Sequence, residues 1–292
     1  MITISELTKT YKGKVQALKD VSLKIDGGMF GLIGPNGAGK TTLMRLMAGL
    51  ISPTSGAIHI DGHDMATSSG RQAVKGMLGY LPQELGLYPQ LTGREFLDYV
   101  GILKGITHAP ERRAQVEELL ETERLTDVAD KRLKTYSGGM KRRTGIAQAL
   151  LGQPRLLIVD EPTAGLDPEE RVRFRNLLSD VAARCTVILS THIIEDINQS
   201  CNALALMHEG RIAYMGTPVD LLQKAQGYVW TISTRGERPE GDFTVVATRQ
   251  LADGVQYRVV GEPGDYPAKA TAPALEDGYI WLMRSRNQPI VA

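Results

Sequence analysis

The stretch Met29-Phe-Gly-Leu-Ile-Gly34-Pro-Asn-Gly-Ala-Gly-Lys40-Thr41-Thr42 decides the fold class. Met29 to Ile33 is a short apolar run that reads as a buried strand, a glycine-rich loop follows, and Thr41 to Leu50 reads as a helix. Strand, loop and helix in that order are the context in which Gly-x4-Gly-Lys-Thr becomes a phosphate cradle. Gly34, Gly37 and Gly39 let the backbone turn so that consecutive N–H groups point at phosphate oxygens, with Pro35, Asn36 and Ala38 completing the loop. The helix from Lys40 onward adds its positive dipole end and its free N–H groups. Lys40 is placed to reach the β- and γ-phosphates of a nucleoside triphosphate, Thr41 to ligate Mg²⁺ and Thr42 to bond an inner phosphate. Taken by itself, the same stretch could also be a glycine turn that only caps a helix.

Working outward, a second acidic element fits the loop. Leu156-Leu-Ile-Val159 reads as a buried strand ending in Asp160-Glu161. Two carboxylates then lie at the carboxyl end of a strand, the ligand edge of an open α/β sheet. Asp160 can hold Mg²⁺, and Glu161 is suited to orient and polarise an attacking water. Taken alone, an acidic pair ending a strand is more often only a helix N-cap.

Around these elements, the first 30 residues alternate in strand fashion about the turn Tyr11-Lys12-Gly13-Lys14, and Ala57 to Ile60 enters a hairpin at Asp61-Gly62. From about Glu84 to Leu151 the pattern is mostly helical, with Val116, Leu119, Leu120 and Leu125 at helical spacing. Strand-like 185–190 and 203–208 alternate with helix-like 168–182 and a stretch after 193. This predicts a parallel or mixed sheet covered on both faces and interrupted by a helical insert. After Gly227, three short strand-like runs and a closing helix at Pro273 to Met283 form a small appendix. The expected fold is α/β. It has a phosphate-loop NTPase (RecA-like) core over residues 1–225, with an N-terminal antiparallel β subdomain and a helical subdomain at about 84–151. A small α+β C-terminal domain covers 228–292.

Ordered short motifs resemble those of the ATP-binding cassette (ABC) ATPases. Tyr136-Ser137-Gly138-Gly139-Met140 looks like the family's signature and Gly79-Tyr-Leu-Pro-Gln83 like its Q-loop. Gly165-Leu166-Asp167 looks like its D-loop and Ser190-Thr191-His192 like its switch histidine. Tyr11 sits where the family places an aromatic that stacks on adenine, although a plain strand aromatic would look the same. The resemblance covers residues 1 to about 225. It implies an ATPase using ATP and Mg²⁺, with Glu161, His192 and Gln83 at the chemistry, Gln83 also sensing the metal, and Asp167 coupling two sites across a dimer. It also implies that Ser137, Gly138 and Gly139 close on ATP held by a second subunit, since one chain carries one loop and one signature. The signature departs from the commoner form at both ends, with Tyr136 for Leu and Met140 for Gln. Lys141 to Arg143 read as a solvated face, with a contact to phosphate or a membrane partner as the alternative. The form Ser-Gly-Gly-Met-Lys-Arg-Arg and the ending Ala274-Leu275-Glu276-Asp277 resemble bacterial subunits that serve ABC-2-type export permeases.

The bulk properties agree. The chain has 292 residues, 42% hydrophobic and 23% charged, with net charge +1, so nothing in its composition calls for a nucleic-acid partner. No apolar run approaches the roughly 18–20 residues of a membrane helix, and the N-terminus reads directly as a strand without a leader. The expectation is a cytoplasmic subunit, peripheral on the inner face of the membrane, pairing with a second ABC subunit and a separate transmembrane permease. An importer subunit is an alternative. So is a soluble ABC ATPase of translation or chromosome maintenance, which the single cassette and the 53 residues between Gln83 and Ser137 disfavour. Cys185 and Cys201 match no metal or redox spacing and read as buried thiols.

Overall fold

The computed structural model describes residues 1–162 and 167–287. They divide into two compact units: residues 1–196 with 200–215, and 197–199 with 216 to the C-terminus.

The first unit starts with an antiparallel sheet. Strand β1 (Ile2–Thr10) pairs on one side with β2 (Gln16–Ile25) and on the other with β4 (Ser55–Ile60), which continues into the short β5 (His63–Asp64). Between β2 and β4 the chain makes β3 (Met29–Ile33) and helix α1 (Lys40–Met47). Leu43, Met44, Leu46 and Met47 of α1 are buried, forming the apolar stripe that packs it into the core shared with β1 and β2. Helix α2 (Ser68–Met77), capped by Thr67, leads into β6 (Leu78–Leu81).

Strand β3 belongs to a second sheet. The remaining members are β7 (Leu156–Asp160), β8 (Thr186–Thr191), β9 (Ala203–His208) and β10 (Arg211–Gly216), in the order β10-β9-β3-β8-β7-β6. Strands β6, β7, β8, β3 and β9 run parallel. Every residue of β3 and β7 is buried, as expected of central parallel strands covered on both faces. Register aligns the carboxyl ends: Ile33 pairs with Thr191, Asp160 with Ser190 and Leu81 with Val159. The loops after β3, β6, β7 and β8 therefore leave one edge together.

The insert between β6 and β7 is helical, as expected. Helix α3 (Gly93–Leu103) starts at a Thr92–Glu95 capping box, α4 (Ala109–Thr122) has Pro at its first turn, and α5 (Gly138–Leu150) starts at Ser137. Phe96, Leu97, Val116, Leu120, Leu125, Tyr136 and Ala147 form its separate core. Helices α6 (Pro168–Ala182) and α7 (Ile194–Ser200) follow β7 and β8.

The second unit holds α8 (Pro218–Gln223), a sheet and α9 (Leu275–Asn287). The sheet contains β11 (Val229–Thr234), β12 (Phe243–Leu251), β13 (Gly254–Gly261) and β14 (Ala268–Ala270), in the order β12-β13-β11-β14. It has its own core at Ile232, Val255, Tyr257 and Val259. Tyr228 stacks on Trp281 at 3.7 Å, and Arg258 reaches the buried Asp277 of α9 at 2.5 Å. Among the described residues no helix is long and apolar enough to cross a membrane.

Candidate active site

The glycine loop sits between β3 and α1 and wraps the start of the helix. Gly39 caps α1 at φ 104°, and a Cβ there would lie 2.6 Å from the Ala17 carbonyl, so both conformation and space demand glycine. Gly37 turns at φ 81° in open space, which makes its need for glycine purely conformational. Tyr11, Val15, Ala17, residues 36–42, Gln83 and Glu161 line a cleft of about 470 Å³ around the loop. That volume falls within the range of small-molecule sites.

Lys40 is buried, and its Nζ donates to the loop carbonyls of Gly34 at 2.7 Å and Pro35 at 3.2 Å. Burial lowers its pKa below the usual lysine value, while the Glu161 and Asp160 carboxylates oppose that shift. The Tyr11 ring stands at the mouth of the cleft, 38% exposed, with its hydroxyl 3.4 Å from Thr42 Oγ1. Lys9 Nζ lies 5.3 Å from the ring centroid.

Three side chains from three strand ends converge on Glu161. Gln83 Nε2 donates to its Oε2 at 3.4 Å, His192 Nδ1 lies 3.4 Å from the same oxygen, and Lys40 Nζ is 3.9 Å from Oε1. Glu161 itself holds φ 46°, a left-handed conformation that costs a non-glycine residue about 1–3 kcal/mol and that concentrates at functional positions. Asp160, next to it, is 1% exposed. Burial pushes its carboxyl above the usual range, and the Thr41 and Ser190 hydroxyls draw it back. Both Asp160 oxygens are buried, and neither makes a hydrogen bond of full geometry. An orphaned carboxylate beside a threonine hydroxyl suits a hard cation.

The signature stretch lies elsewhere. Ser137 caps α5, accepting from Met140 N at 3.2 Å, and the Gly138 and Gly139 amides open that helix. Among the described residues lining the loop cleft, none comes from the signature. Asp167 caps α6, accepting from Glu170 N at 2.8 Å. Its D-loop companions Gly165 and Leu166 lie outside the described residues.

One expectation about this region needs correcting. Lys141 to Arg143 are not a plain solvated face. Arg142 is 7% exposed and turns inward, donating to the Pro162, Glu161 and Pro82 carbonyls at 3.0, 3.0 and 3.1 Å. Burial draws its pKa down to about 10, with Asp160 opposing. Arg143 bonds the Glu123 and Arg124 carbonyls at 3.0 and 3.2 Å. A signal was present in the helical spacing. Arg142 shares a face with the buried Ile146, Ala149 and Leu150, so the helix phase, unlike the charge run, places it inward.

Residues 18–164 match the family model for ABC transporters. The chain belongs to the ABC transporter ATP-binding proteins. This ABC ATPase is 38% identical over 244 residues to an uncharacterised ABC transporter ATP-binding protein, YxlF, of Bacillus subtilis, covering 82% of this chain and 79% of that one. It is 36% identical over 229 residues to the linearmycin resistance ATP-binding protein LnrL of the same organism, covering 78% and 72%. Its fold matches a dimeric ABC transporter cassette with a TM-score of 0.67 and 28% identity, over 74% of this chain and 98% of that one. The same cassette is also known as a post-hydrolysis dimer bound to ADP and Pi.

Proposed function

We propose that this ABC ATPase is the energy-coupling subunit of an exporter, dimerising on ATP and driving a separate membrane permease. The observation that carries the hydrolytic reading is the convergence of Gln83, His192 and Lys40 on the single carboxylate of Glu161. In that arrangement Glu161 takes the proton of the attacking water, and His192 holds both the carboxylate and the γ-phosphate in line. Gln83 would contact the attacking water and the cation, and so link them to the helical region. Lys40 leaves its loop carbonyls for the β- and γ-phosphates, and Tyr11 supports the adenine ring. Asp160, Thr41 and Gln83 are the residues that would hold Mg²⁺, which when bound neutralises charge developing on the phosphates.

The second half of the site comes from a second subunit, a homodimer in the simplest case. Ser137, Gly138 and Gly139 line no part of their own loop cleft, so they are available to a nucleotide held by another chain. Asp167, at the head of α6, couples the two sites. Dimeric relatives support this reading. The permease docks on the helical region. There Tyr88, Tyr99, Ile102 and Leu103 expose 52, 40, 51 and 67% of their surface. A cleft of about 600 Å³ opens in the same region, lined by Gln83, Leu85, Leu87 and Leu133 together with the charged Glu84, Lys134, Lys141 and Arg142. Gln83 lines both this cleft and the loop cleft, so a permease and the hydrolysis site share a residue. Export is favoured by the resistance role named for the relative LnrL.

Two substitutions test the site. Glu161→Gln is expected to keep ATP affinity and lose at least about 100-fold in turnover. Lys40→Ala is expected to weaken ATP binding itself. Full turnover by Glu161→Gln, measured as phosphate release, would overturn the assignment.

A further inference from the structure

We propose that Arg142 is a positioning residue for hydrolysis, holding Glu161 and Gln83 in mutual register through their main chains. This rests on the reading of Glu161 and Gln83 as catalytic groups. A guanidinium has five N–H donors in a fixed planar fork. In Arg142 these face five main-chain carbonyls on two loops. Nε donates to Pro162 at 3.0 Å, one terminal nitrogen to Pro82 at 3.1 Å and Gln83 at 3.3 Å, and the other to Glu161 at 3.0 Å and Asp160 at 3.5 Å. Among the described residues no carboxylate pairs with the group directly, and its hydrogen bonds go to peptide oxygens.

The loops so joined are the two whose relative position sets the reaction geometry. One follows β6 and carries Gln83; the other leaves β7 at its last residue, Asp160, and carries Glu161. Glu161 is held at φ 46°, and Arg142 takes the carbonyl of this left-handed residue. A backbone in that region reverts unless its surroundings over-determine it. The two functional side chains meet directly in the long Gln83–Glu161 contact of 3.4 Å, which cannot by itself fix their separation. Arg142 supplies the rigid connection beneath them. It is also on α5, five residues after Ser137. The same helix therefore presents the signature amides at its start and grips the hydrolytic loops one turn on, so a load on the signature reaches Glu161 through one side chain.

The test uses the full chain with Arg142→Lys and Arg142→Ala. Lysine keeps the charge and stem but has three donors from one point and cannot span both loops. Both variants are expected to keep the wild-type KM for ATP within about twofold while kcat falls roughly 10- to 100-fold, as a small misplacement of reacting groups does. Millimolar methylguanidinium is expected to restore part of kcat in Arg142→Ala and none in Arg142→Lys, a readout that general loosening of the fold would not produce. Should Arg142→Ala fail to bind ATP, Arg142→Lys decides alone by its split between kcat and KM. Wild-type kcat in a folded Arg142→Lys, or a proportional rise in KM, would overturn the proposal. Glu161→Gln runs in parallel: retained turnover there would remove the site reading itself, whereas its loss beside an active Arg142→Lys would remove only the role of Arg142.

Discussion

The hydroxyl of Tyr136 is where a leucine-like position has acquired a second task. It donates to the Val128 carbonyl at 2.7 Å, inside the helical core. A Cβ on Gly93 would lie 2.4 Å from the same oxygen, so the glycine at the start of α3 makes room for the phenol. Tyr136→Phe is therefore expected to lower stability by about 1 kcal/mol, read from chemical denaturation, with ATP turnover unchanged. Glu123 makes a different residue-scale prediction. It is 1% exposed, 3.1 Å from Arg173. Burial pushes its carboxyl from 4.5 up to about 7, with Arg173 and Arg143 drawing it down and Glu170 adding to the rise. The native state then keeps a proton that the unfolded chain has released. This contribution to stability is complete below pH 4.5 and is lost as pH climbs to about 7. Replacing it by Gln removes the titration. Across that interval the wild type should lose roughly 1–3 kcal/mol relative to Glu123→Gln, and parallel pH profiles would refute the burial argument.

At the scale of elements, helix α4 shows where the fold gets its local stability. Val116 and Leu120, one turn apart, are buried at 1 and 0% exposure, and little else of the helix is apolar enough to hold it. Leu120→Ala is expected to cost about 3 kcal/mol by transfer and cavity terms. Hydrogen exchange should speed up across α3 to α5 while β3, β7 and β8 keep their protection. The same elements explain what could be read from the sequence. Leu156 to Val159 of β7 and Val187 to Leu189 of β8 are apolar runs, and the glycine loop declares both its neighbours, so the carboxyl edge of the sheet was legible. Strand β6 was not, because Leu78-Gly-Tyr-Leu81 is short, carries a glycine and becomes a strand only by pairing with β7, far along the chain. Strand β14 is legible only through its pairing with β11. Arg142 was hidden inside a run of three cations, since charge alone suggests solvent and only the phase of α5 turns it inward.

For the whole molecule, the cleft that gathers Tyr11, the glycine loop, Gln83 and Glu161 is built by one chain, and among the described residues that line it none comes from the signature. The two features are mechanically one device only if a second chain supplies the missing half. The one loop and one signature in the sequence already imply this pairing. The most direct measurement is sedimentation of the Glu161→Gln variant with and without Mg²⁺ and ATP. The account predicts a monomer that becomes a dimer on adding nucleotide and returns to monomer when Ser137→Arg is added to the same chain. A Glu161→Gln protein that binds ATP yet stays monomeric, or a dimer indifferent to Ser137→Arg, would contradict it.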